Sequence, residues 1–89
     1  MSGASYRRGD PVAGPGWTAW THGSVGCSAK VGGLRADIAP EINPATKLQE
    51  WHVTAWHYSD RAALVHEAWG MRAFEVGQDA LAIMAELAR

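Results

Sequence analysis

Nine consecutive residues, Glu50 to Tyr58, contain neither glycine nor proline and are rich in Trp, Val, Thr and Tyr, the side chains that fit a pleated surface. This run constrains the chain more than any other feature, because a strand shows alternate side chains to opposite faces and has to be paired into a sheet. A period of two puts Trp51, Val53, Ala55 and His57 on one side and His52, Thr54, Trp56 and Tyr58 on the other. The first set suits a core. The second is aromatic and polar together, which suits either a covering element or a surface kept for a partner.

Chain length limits what can be built around that strand. Eighty-nine residues give one small domain. A single cysteine, Cys27, cannot close an internal disulfide, so stability has to come from the core or from self-association. Apolar residues make up 47% and charged residues 19%, a globular mix rather than that of a disordered chain. Much of the bulky apolar volume is indole: Trp17, Trp20, Trp51, Trp56 and Trp69 stand against one phenylalanine and two tyrosines.

Residues 1–16 carry Gly3, Gly9, Gly14, Gly16, Pro11 and Pro15 and almost nothing large to bury, which predicts a flexible arm ahead of a domain spanning 17–89. From Trp17 to His22 the composition turns β-prone. Gly23-Ser-Val-Gly26 reads as a turn and Cys27–Val31 as the returning strand of a hairpin. Leu34, Ala36 and Ile38 continue that strand past a bulge at Gly32-Gly33 until Pro40 ends it, and Asn43-Pro44 marks a loop. Residues 59–73 stay open between two readings. One is a helix capped by Ser59; the other is a strand, Ala63 to Ala73, paired with Glu50–Tyr58. An internal echo favours the strand, since Thr18-Ala-Trp20 recurs as Thr54-Ala-Trp56 and Gly33-Leu-Arg-Ala36 as Gly70-Met-Arg-Ala73. At the C-terminus Ala80, Ile83, Met84 and Leu87 fall on one helical stripe, with Gly77 as the boundary residue and Asp79 in the first turn. The expected fold is therefore α+β: an antiparallel sheet of three to four strands with a C-terminal amphipathic helix packed on one face.

The succession Gly16-Trp-Thr-Ala, Leu34-Arg-Ala-Asp-Ile-Ala-Pro, Trp51-His-Val and a glycine-bearing strand leading into Gln78-Asp-Ala-Leu-Ala resembles a group of small phage and prophage proteins, over residues 16–89. The resemblance implies an antiparallel sheet followed by one helix. It also implies a context, that of a small accessory protein of a mobile genetic element, a class that includes host-directed inhibitors such as anti-CRISPR proteins. It implies no catalytic residues.

Familiar chemistries find little support. His22, His52, His57 and His66 with Cys27 lack the close ligand pairs of a zinc site, and His52 and His57 point to opposite faces of one strand. Cys27 could meet His22 across the first hairpin, but a lone cysteine is more often a small buried apolar residue. No nucleophile elbow, phosphate loop or dinucleotide fingerprint occurs. The expectation is a protein without enzymatic activity, metal or cofactor. No apolar run reaches the roughly 20 residues of a membrane span, and the N-terminus lacks the apolar stretch of a secretory signal, which together point to the cytoplasm.

Binding remains. A sheet with one face under a helix leaves the other free, and here that face offers Trp20, His52, Trp56 and Tyr58 as contact residues. Trp and Tyr dominate interface hot spots, so a protein partner is the leading expectation, and the resemblance implies a host defence complex as that partner. Single-stranded nucleic acid stacked on the same rings is the alternative, and homodimerisation a third use. Charge separates the first two, because from Trp17 onward six Lys and Arg face eight Asp and Glu, too few cations for a base-stacking sheet. On this reading Trp56→Ala weakens partner binding and leaves folding cooperative.

Overall fold

The structure, a computed structural model, describes residues 11–21 and 25–89. The β-prone stretches form five strands: β1 (Thr18–Ala19), β2 (Cys27–Val31), β3 (Leu34–Ile42), β4 (Gln49–His57) and β5 (Asp60–Gly70), followed by α1 (Ala73–Leu87). They pair in sequence order as one antiparallel meander, and α1 lies across one face. The class is α+β.

Five strands rather than three or four follow from Gly32-Gly33. These glycines form a two-residue turn with Val31 opposite Leu34, not a bulge in a continuing strand. Gly32 has a φ of 58°, as the first position of a type II′ hairpin turn requires. Residues 59–73 resolve as strand for most of their length. β5 follows a two-residue turn at Tyr58-Ser59, is bulged opposite Ala55–His57, and ends at Gly70. The second half of the echo therefore carries no structural repeat: Gly33 ends a turn and Leu34–Ala36 opens β3, whereas Gly70 ends β5 and Ala73 begins the helix.

Along β3, Leu34, Ala36 and Ile38 face the core, joined by Cys27 and Ala29 from β2 and by Val53 and Ala55 from β4. Trp51 packs against their edge. Small side chains on the sheet meet Ala73, Gly77, Ala80 and Met84 on the helix, so the two layers approach closely.

The helix begins a turn earlier than its sequence stripe suggests, and Gly77 lies inside it, not at its boundary. Its first turn carries Glu75 in place of the expected Asp79. Ile83 and Leu87 are 37% and 51% exposed, Ile83 beside the buried stripe of Ala73, Gly77, Ala80 and Met84 and Leu87 at the last position of the helix. A Cβ on Gly77 would stand 2.7 Å from the Cβ of Ala13 and 3.1 Å from Nε1 of Trp17. The described part of the expected arm thus lies against the helix: Ala13 is fully buried, and Gln78 donates to the carbonyls of Ala13 and Pro15. Trp17 closes this strap by donating its indole N–H to the Gly77 carbonyl at 3.1 Å. Residues 1–10 of the arm expected over 1–16 lie outside the described residues.

Between β3 and β4 the loop organises around Glu50. Asn43 Nδ2 donates to one carboxylate oxygen at 3.0 Å and the Thr46 hydroxyl to the other at 2.7 Å. These bonds, Asn43's first, hold the Glu50 carboxyl below the usual carboxylate range against the opposing effect of desolvation.

Candidate functional site

The face of the sheet away from α1 carries two separate clusters. The first stands at the end where the two glycine and tyrosine turns meet. Trp20, Ser28, Arg35, Asp37, Trp56, Tyr58 and Arg61 line an open recess of about 590 Å³ there. Strand register explains the gathering: Ser28 lies opposite Asp37, Lys30 opposite Arg35, and Arg35 opposite Trp56. Antiparallel partners share a face, so every second residue of β2, β3 and β4 contributes.

Hydrogen bonds fix the recess on one side. The Trp20 indole N–H donates to Ser28 Oγ at 2.7 Å, and that hydroxyl donates to Asp37 Oδ1 at 2.7 Å. The other carboxylate oxygen faces Arg61 at 3.5 Å. Arg61 in turn lies with its guanidinium 4.3 Å from the Trp56 ring centroid, a cation–π contact. On the opposite side, Lys30 and Arg35 each stand 5.7 Å from the centre of the Tyr58 ring. The Tyr58 amide donates to the Gly33 carbonyl at 2.8 Å, which ties the hairpin carrying the tyrosine to the glycine turn beside those two cations.

The second cluster sits further along the same face. His52 stacks on Trp69 with ring centres 3.8 Å apart and planes 7° from parallel. Its Nδ1 meets Glu41 at 2.9 Å and its Nε2 meets Glu67 at 2.6 Å. Which ring nitrogen carries the N–H depends on the tautomer. The cluster links β3, β4 and β5 and is acidic where the recess is basic.

Of the four side chains expected to form a binding face, Trp20, Trp56 and Tyr58 are brought together, while His52 belongs to the second cluster. Their exposures differ: Tyr58 is 63% exposed, whereas Trp56 is only 5% exposed, although it stands outside the main core cluster. Arg35, Asp37 and Arg61 were not singled out from the sequence. Arg35 and Asp37 alternate with Leu34, Ala36 and Ile38, which was signal enough to place them on the open face; Arg61 gave none. Cys27 is buried at 1% exposure, and His22 lies outside the described residues. His57 is exposed, and His66, opposite Ala55, has a buried Nε2 with no hydrogen-bond partner among the described residues. Among the described residues no three His, Cys, Asp or Glu side chains are grouped to hold a metal ion, and no helix is long and apolar enough to cross a membrane.

Comparison with protein-family models, with curated proteins and with solved structures yields no match.

Proposed function

We propose that the protein is a non-enzymatic protein-binding module whose contact site is the aromatic and arginine recess on the open sheet face. One observation carries this reading: five of the seven lining residues, Trp20, Arg35, Trp56, Tyr58 and Arg61, are of the three types that dominate interface hot spots. The hydrogen-bonded chain through Ser28 and Asp37 holds part of that surface before a partner arrives, which lowers the ordering cost of association. A host defence complex, met in the cytoplasm, is the partner class that the sequence resemblance suggests.

Affinity capture with three versions of the chain tests the reading. Tyr58→Ala and Arg61→Ala change exposed members of the recess, and Leu87→Ser changes an exposed residue at the C-terminal end of the helix, on the other layer of the domain. A true partner is retained by the wild type and by Leu87→Ser and lost from the two recess variants. Equal capture by all of them removes the recess from consideration.

Single-stranded nucleic acid is a second reading, favoured by the local charge. The chain as a whole is acidic, yet Lys30, Arg35 and Arg61 stand around the recess against Asp37 alone. A gel-shift titration at two salt concentrations reads it, and absence of binding at the lower one ends it. Sedimentation reports whether the same face pairs two copies of the chain.

A further inference from the structure

We propose that the Lys30–Arg35 side of the recess seats an acidic peptide segment of the partner, an inference that rests on the protein-binding reading. Lys30 and Arg35 are direct cross-strand partners, with like charges opposed on one face. Among the described residues no carboxylate lies within ion-pair distance of either, whereas Arg61 is already paired with Asp37. Two adjacent cations without a counter-charge cost stability in the free protein. An anion placed above them removes that cost, which is the charge complementarity a ligand would use.

The surroundings specify what kind of anion. Arg35 and Ser28 line both the recess and a neighbouring hollow of about 420 Å³ whose walls include Thr18 and Lys30, so Arg35 forms the ridge between two depressions, with Lys30 in the wall of the second. An extended segment lying over this ridge would set a carboxylate on the Arg35 guanidinium, whose planar fork matches it, and an apolar neighbour on Tyr58. A nucleic-acid strand fits less well. The Trp56 ring is buried beneath Arg61 and offers no free face for a base, and a phosphate backbone continuing along the sheet would run into Glu41 and Glu67. The positive patch is short and ends at an acidic one, which suits a brief acidic segment.

The test titrates the full isotope-labelled chain with three probes: a short peptide of aspartates and glutamates around one leucine, its asparagine and glutamine counterpart, and oligothymidylate. The acidic peptide is expected to shift the resonances of Lys30, Arg35, Tyr58 and the Trp20 indole N–H, and the amide peptide to leave them in place. Lys30→Gln and Arg35→Gln are each expected to weaken binding roughly fivefold, more at lower salt. Neither variant should melt earlier than the wild type, because each relieves the cation–cation opposition. Equal binding of the amide peptide, tighter binding of oligothymidylate, or unchanged affinity in both glutamine variants would overturn the proposal. If the acidic peptide fails while Tyr58→Ala and Arg61→Ala still release the captured partner, the acidic seat falls and the binding face stands.

Discussion

Trp56 shows how one side chain can lie on a functional face and still be structural. Its ring is on the open side of β4, yet Arg61 covers it and only 5% remains exposed. Truncation to alanine should therefore cost about 3–5 kcal/mol, a large part of what a domain of this size possesses. Urea unfolding of Trp56→Ala checks this, and the expectation that this variant reports on binding with folding unaffected gives way to Tyr58 and Arg61 as probes. Glu50 makes a prediction of the opposite kind. Its folded carboxyl sits below the unfolded value, so its stabilising contribution is present above about pH 4.3 and is lost as pH falls through the folded value. Glu50→Gln should lie below the wild type in thermal midpoint at neutral pH, and the two curves should converge on acidification below that point. A constant offset across the acid range would show that Asn43 and Thr46 do not favour the ionised form.

At the scale of elements, the turn between β2 and β3 makes two adjacent glycines behave differently. Gly32 has a positive φ and a Cβ there would stand 2.9 Å from the Cβ of Ala88, whereas Gly33 has open space around its missing side chain. Gly33→Ala is expected to stabilise by about 0.4–1 kcal/mol through the unfolded chain, and Gly32→Ala to destabilise by at least as much. Chemical denaturation of the two variants settles the sign of each. The same pair explains the miscounted strands. Core-facing Val31 and Leu34 are three residues apart, a step that one bulge or one two-residue turn produces equally, so alternation alone could not separate them. By contrast, the assignment of Glu50–Tyr58 was readable because an unbroken strand sorts its side chains by parity. The helix boundary was not readable, since Gly77 is there for the close approach of Ala13 and Trp17, residues distant in sequence.

For the whole molecule, the strap from Pro11 to Trp17 is the part that composition concealed. Glycine and proline normally mark a mobile lead-in, but Gly14 and Gly16 take positive φ values here and pass close to Phe74, Gln78 and Leu81 on the helix. A chain beginning at Trp17 loses the buried Ala13 and both Gln78 hydrogen bonds, which should lower the thermal midpoint by about 5–15 °C if 1–2 kcal/mol is lost. An unchanged midpoint would show that the strap adds nothing. Charge was legible only as a total. The net value of −1 hides a basic recess and an acidic His52 cluster on one face, because their separation depends on the registers of four strands. The bulge in β5 has a consequence for self-assembly. β5 is the long outer strand, and an evenly spaced row of unpaired amides and carbonyls on such an edge would template another chain. With its ladder interrupted opposite Ala55–His57 and charged Asp60, Arg61 and Glu67 along it, the edge has no uninterrupted eleven-residue register to offer, so growth of the sheet from molecule to molecule is disfavoured where the domain is otherwise most open to it.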